Sequence, residues 1–285
     1  MDLKIGRFIK SRFVAWFVCF GCILGCNGID DEGITEIEEE ITSVEKLHVL
    51  NFNVRYFNPP SQPASVIDIE PVVEVINGLR PDVVALQEVD VNTRRSGNRN
   101  LAQELADRLR MRYFFAKAID YQGGEYGLLI LSRFPISEST AHRLPMDPQL
   151  GGEARILATV KVTLPDGREF RFGNTHLDAQ SNPSSRILQA ERIVEISQSE
   201  SLPFILTGDF NAGIDSEEVQ LLFSKFTNTC TACPPTFPAI SPNRLIDYIT
   251  YFDPLGQFSV ASHQVVNESY ASDHRPVFAV FNLAD

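Results

Sequence analysis

Positive charge is scarce in this chain. Only 25 lysines and arginines stand against 37 aspartates and glutamates, a net charge of -12 at pH 7 over 285 residues. A protein this acidic has no general attraction for polyanions, which argues against non-specific nucleic-acid binding unless a locally bound cation neutralises the contact surface. Long apolar runs are missing as well. The run at residues 13–24 is short for a membrane span, and with Lys4, Arg7, Lys10 and Arg12 ahead of it has the layout of a secretory signal. Cysteine is sparse at five residues, and with Cys19 and Cys22 lying in the export segment just described no second pair remains in the folded domain to complete a four-ligand zinc site with Cys230 and Cys233. Pro234 and Pro235 follow that pair at once, where a thioredoxin-type site would open a helix. A local disulfide in an oxidising compartment is the preferred reading, with free thiols the alternative. The chain shows neither repeats nor an internal linker.

What is present starts with the export segment. The apolar run ends Ile23, Leu24, Gly25, Cys26, which resembles the lipobox of bacterial lipoproteins. That resemblance implies cleavage before Cys26 and lipidation of it, hence a membrane-anchored protein of the cell envelope, periplasmic or at the cell surface. An ordinary cleaved signal or an uncleaved anchor is the alternative. The expected organisation is a signal peptide at 1–25, an acidic tether at 26–45 and one folded domain at 46–285. Asp30, Asp31, Glu32, Glu36 and Glu38 to Glu40, with few apolar residues between them, mark the tether as solvated.

With 44% hydrophobic residues the remainder can build a substantial core. Apolar strands are read at residues 47–54, 83–86, 113–116, 128–131, 154–164, 170–174, 204–208, 245–251, 258–265 and 277–281, with Pro165, Asp166 and Gly167 as a hairpin turn. Helical spacing links Val72, Val73, Ile76 and Leu79, and again Leu101, Leu105, Ala106 and Leu109. A third helix is expected to be capped by Ser184 and Ser185, with Ile187, Ala190, Val194 and Ser197 as its stripe, and a short one to occupy 217–223. Many strands with interspersed helices predict one α/β domain of two packed sheets with helices outside.

Polar residues recur where these strands end: Asn53, Glu88, His176, Asp209, Asn211, Asp247, Asp273 and His274. Each has an ordinary explanation alone, as a turn former, a cap, a surface carboxylate or a satisfied interior histidine. Together they form the residue set for metal-assisted phosphoester hydrolysis. If the strand at 204–208 stays extended, Asp209 and Asn211 project the same way, and Gly208 allows a close backbone approach beside them. His48, His142 and His263 lie in strands away from these positions and are read as structural.

The segments LNFNVR, LQEVD, NTHLD, TGDFN, IDYI and SDHRPV, in this order, resemble the endonuclease/exonuclease/phosphatase family over about residues 46–285. YGLLILSRFPI, residues 126–136, is similar to its mid-domain strand. The resemblance implies a four-layer α/β/β/α sandwich of two packed mixed sheets. It also implies a Mg2+ or Mn2+ ion on Glu88 with Asn53 beside it, and Asp273 supporting the metal region. His274 would be the general base, oriented by Asp247. Asp209 and Asn211 would position water and phosphoryl oxygens, and His176 would donate to the phosphate. Arg94, with Arg95, and Asp178 are further candidates for substrate contact. The expected activity is a metal-dependent phosphoesterase acting as a monomer on a small phosphoester or a lipid headgroup. A secreted nuclease or a non-catalytic surface binding protein are the alternatives.

Overall fold

The computed structural model describes residues 43–284. Cys26, the signal segment and most of the tether lie outside the described residues. No described helix is long and apolar enough to cross a membrane.

Side-chain alternation along the strands sets the layers. In β1 (Lys46–Asn53) Leu47 and Val49 face one core while Leu50 and Phe52 face another, as the period of two requires. In β2 (Val83–Val91), parallel to β1, Val83 and Ala85 join the first core and Val84 and Leu86 the second. The second sheet repeats the division: in β8 (Phe204–Asp209) Ile205 joins the first core, and Phe204 and Leu206 a third. The first core therefore lies between the sheets. The other two are closed by helices, α1 (Glu70–Leu79) and α2 (Leu101–Leu109) over one sheet, α3 (Ser184–Gln198) and α4 (Glu217–Phe223) over the other. This is the expected four-layer sandwich.

Each sheet has six strands. The first, in spatial order, is β11 (Phe258–Val265), β12 (Val277–Leu283), β1, β2, β4 (Gly124–Ser132) and β3 (Arg112–Tyr121). The second is β5 (Ile136–Arg143), β6 (Ile156–Thr163), β7 (Glu169–His176), β8, β10 (Asp247–Phe252) and β9 (Thr227–Asn228). Both are mixed: β1 with β2 and β7 with β8 are parallel, and the other pairs antiparallel. The parallel pairs deliver their carboxyl ends to one pole of the domain.

Two local expectations change. Strands β3 and β4 run further than their apolar cores suggested and close a hairpin over Gln122 and Gly123, both at positive φ, the geometry a two-residue hairpin turn needs. Helix α3 is not capped by its serines: Asn182 Oδ1 accepts from Ser184 N, and Ser185 Oγ accepts from Asp147 N. Its buried face carries Ala190 and Ser197 as expected, with Val194 partly buried against the same core, but Arg186, Gln189 and Ile193 join them and Ile187 does not. The polar members of that face are bonded, Arg186 Nε donating to Glu218 at 2.6 Å and Gln189 Oε1 accepting from Asp178 N.

Candidate active site

The inward-facing rows continue past the end of the core and become polar. Val49 is followed at the same parity by Asn51 and Asn53, Phe172 by Asn174 and His176, Ile205 by Thr207 and Asp209, while Ile249 is preceded by Asp247. Beneath the cleft this change of composition builds an amide bridge between the sheets. Gln87 Nε2 donates to Asn51 Oδ1 at 2.8 Å and to Asn174 Oδ1 at 2.7 Å. Asn174 Nδ2 donates back to the carbonyls of Leu86 and Leu129, and Asn51 Nδ2 to that of Gly208. Gly208 is needed here because a Cβ would lie 2.2 Å from the Thr175 carbonyl oxygen.

Glu88 reaches the cleft through a break in the alternation. Val84 and Leu86 face outward, so an unbroken strand would send residue 88 outward too. The pairing of β2 with β4 instead shifts between Leu86 and Val89, and Glu88 takes φ +63, so Gln87 and Glu88 both serve the inner side and Val89 resumes the outer row.

Asn53 ties the two sheets' carboxylates together. Its Nδ2 donates to Glu88 Oε1 at 3.0 Å and to Asp209 Oδ2 at 3.1 Å. Around Asp209 Oδ2 stand both histidines, His176 Nε2 at 3.5 Å and His274 Nε2 at 3.7 Å. Behind His274, its Nδ1 lies 3.1 and 3.0 Å from the two oxygens of Asp247, and Thr236 Oγ1 donates to Asp247 Oδ2 at 2.6 Å. Phe237 packs its ring 4.7 Å from the imidazole. Thr236 and Phe237 lie on the loop that begins at the Cys230–Cys233 disulfide.

The segment after Asn53 is strained. Arg55, Tyr56 and Phe57 have φ of 44, 44 and 60°, a left-handed conformation that costs about 1–2 kcal/mol per residue. It is held by Asn53 Oδ1 accepting from Arg55 N, by Arg55 Nη1 donating to Asn58 and by burial of Phe57. Arg55 Nε also lies 3.5 Å from Asp273 Oδ2, joining the first motif to the last.

Charge is distributed unevenly. Burial raises the Glu88 carboxyl above its usual range despite the Asn53 hydrogen bond. Burial and the neighbouring Asp247 likewise raise Asp209. Burial opposes a charge on His274, but Asp247 and Asp209 outweigh it and push the imidazole up to about 10. His176 goes the other way: burial, then Arg155 and His274, hold it well below the histidine value and so neutral. The cleft thus has one cationic imidazole, one neutral imidazole and two carboxyls, Glu88 and Asp209, whose ionisation burial opposes.

Such a donor set fits a hard divalent cation. Two carboxylates, half-buried Glu88 and buried Asp209, converge on one amide and are raised by desolvation, a cost that a bound cation would relieve. Ligand atoms of Asp209, Asp247 and His274 also lie within 4.8 Å of one another, a second grouping able to hold a metal. In this grouping Nδ1 of His274 is engaged by Asp247, which orients the imidazole and leaves Nε2 facing Asp209.

The cleft brings together Asn53, Glu88, His176, Asp209, Asp247, Asp273 and His274. Asn211 is next to it but not in extended register: its φ is 52°, its N donates to Asp209 Oδ1, and its Nδ2 donates to the Leu177 carbonyl. It fixes the Asp209 rotamer through a turn rather than projecting beside it. Asp178 is buried and occupied by Gln180 N and by Arg186, which bonds its carbonyl. Arg94 is exposed on the loop that follows β2, with no bond to the cluster among the described residues. Arg95 is committed to Asp90 through Nε and Nη2 and lies 3.9 Å from the Tyr56 ring centre. The three remaining histidines are bonded elsewhere, His48 to Asp82, His142 to Thr159 and His263 to Thr229.

Sequence reasoning missed Thr236, Ser272, Arg155 and the amide bridge. Inward parity alone could have found the bridge, since Asn51 and Asn174 stand two residues before Asn53 and His176. Nothing local marks Thr236 or Ser272.

Comparison with known proteins agrees with this fold. The family model described as Endonuclease/Exonuclease/phosphatase family matches residues 50–274. Among solved structures, a protein of that description from Beutenbergia cavernae superposes with a TM-score of 0.71 at 22% identity, over 85% of this chain and 72% of its own. A mannosyl-6-phosphatase from Bacteroides thetaiotaomicron does so with a TM-score of 0.65 at 21% identity, over 82% and 99%. The human Nocturnin catalytic domain with a bound sulfate anion gives 0.64 at 22% identity, over 84% and 94%. At these identities the likeness is one of fold.

Proposed function

Because the chain belongs to the endonuclease/exonuclease/phosphatase family, we propose that it is a divalent-metal-dependent phosphoesterase in which water attacks phosphorus with His274 as general base. The observation that carries this reading is the convergence of Glu88, Asn53, Asp209, His176 and the Asp247–His274 pair on one cleft from both sheets. Glu88 and Asp209 would hold Mg2+ or Mn2+, with Asn53 and Asp273 supporting them. Bound there, the ion supplies Lewis-acid stabilisation of a phosphoryl oxygen.

This chain's own residues perform the rest. Asp247 fixes the imidazole of His274 through Nδ1, leaving Nε2 facing Asp209 and the cleft. Asp247, Asp209 and Asp273 together keep His274 protonated, so neutralising Asp209 and Asp273 would lower its proton affinity and let Nε2 take a proton from water. Neutral His176 donates one hydrogen bond as charge builds on phosphate oxygen.

The acidity of the chain favours a small phosphoester or a lipid headgroup over nucleic acid, and mannosyl-6-phosphatase activity in a protein of this fold supports a small substrate. We also propose that Cys26 carries a lipid anchor in the cell envelope. Purified protein with Mg2+ or Mn2+ should cleave bis-p-nitrophenyl phosphate or p-nitrophenyl phosphate, and His274→Ala should remove nearly all of that activity. Equal rates in the two proteins would discard the mechanism. A panel of single-stranded DNA, RNA, sphingomyelin and sugar phosphates assigns the substrate, and mass spectrometry of the mature N-terminus tests Cys26.

A further inference from the structure

Three arginines of this fold are firmly held by carboxylates, and a fourth, as enclosed as the most buried of them, is not. Arg95 grips both oxygens of Asp90 with the Nε and Nη2 edge of its guanidinium, at 2.6 and 2.9 Å. Arg99 grips Glu104 with the same edge, at 3.0 and 2.7 Å. Buried Arg186 is equally occupied, by Glu218 through Nε and by the carbonyls of Asp178 and Gln180 through Nη1. Arg155 is as buried as Arg186, each 7% exposed, yet its Nε has no acceptor among the described residues. The Nη2 beside it has only a 3.3 Å contact with Glu153, a carboxylate left 41% exposed on the loop before β6.

A guanidinium edge buried without an acceptor has given up water and gained nothing in return, which leaves it open to a ligand. Arg155 stands at the start of β6, beside the carboxyl end of β7, and lines a narrow void with His176, Tyr126 and Leu128. Its positive charge acts on both His176 and Glu88. The walls of this void are mostly apolar and it is too small for more than a water, so little solvent competes for the Arg155 edge.

We infer that Arg155 is a substrate-binding residue whose Nε and Nη2 edge receives two non-bridging oxygens of the phosphoryl group, displacing Glu153. This rests on the phosphoesterase reading for the identity of the ligand. The planar fork matches a phosphate as it matches the carboxylates at Arg95 and Arg99, and lysine cannot reproduce it. Glu153 then acts as a stand-in anion that holds the arginine in place until substrate arrives.

Isothermal titration of the mature chain with inorganic phosphate, metal-free and with Mg2+, tests this. Arg155→Gln should weaken phosphate binding at least tenfold in both states, Arg155→Lys should restore only part of it, and Glu153→Gln should tighten it. With p-nitrophenyl phosphate and bis-p-nitrophenyl phosphate, Arg155→Gln should lower kcat/KM for both, and the larger loss identifies whether a monoester or a diester uses the fork more fully. Unchanged phosphate affinity in a folded Arg155→Gln protein overturns the inference. So does a Glu153→Gln protein that binds phosphate no better than wild type, a result independent of whether Arg155 variants fold. Wild type that binds phosphate through Arg155 but hydrolyses no ester would instead overturn the phosphoesterase reading alone.

Discussion

The hydroxyl of Ser272 donates to the backbone carbonyl of Asn53 at 2.7 Å, across 219 residues of chain. The same oxygen accepts from His274 N at 3.3 Å. One small side chain thus sets the distance between the residue that bridges the carboxylates and the imidazole proposed as base. Ser272→Ala should cost about 1–2 kcal/mol of stability and lower kcat about tenfold with little change in KM, since the loss is one of alignment. Steady-state kinetics on the two proteins checks this, and a kcat equal to wild type would refute it.

The amide bridge makes a second prediction. Asn174→Leu would strip two carbonyls of a donor and leave Gln87 one acceptor fewer in a buried layer, costing about 2–3 kcal/mol. Urea denaturation should show the midpoint falling with the slope unchanged. An unaltered midpoint would mean that the bridge contributes nothing to joining the sheets.

Protonation couples to stability in the metal-free protein with a definite sign. His274 is raised from 6.5 to about 10, so its contribution is fully present below pH 6.5 and is lost as pH rises through 10. Asp209 is also raised, and a carboxyl that keeps its proton longer when folded loses stability in the same direction as pH rises. His176 is lowered and acts oppositely, costing stability as pH falls below 6.5. Calorimetry of metal-free protein should therefore show Tm declining from pH 7 to pH 10, and His274→Asn should flatten that decline. A Tm that climbs over this interval would contradict the charge assignment.

Most of the fold was legible because its strands are short apolar runs bounded by turn residues. Most of the site was legible because polar residues end those runs. What escaped was set by contacts remote in sequence. Ser272 beside Asp273 gives no hint that its partner is Asn53. Thr236, in a proline-rich loop, is tied to Asp247 only once the loop folds back. The inward aim of Glu88 depends on a bulge that the apolar run of β2 conceals. The expected extended pairing of Asp209 and Asn211 failed because Asp209 itself turns the chain by accepting from Asn211 N.

Strand direction has a further consequence for access. β1 starts at Lys46 and runs its eight residues, about 26 Å of extended chain, before reaching Asn53. The described chain therefore enters this strand at the end remote from Asn53. A label attached near Lys46 would stand one strand length from the mouth and leave it clear for incoming cargo.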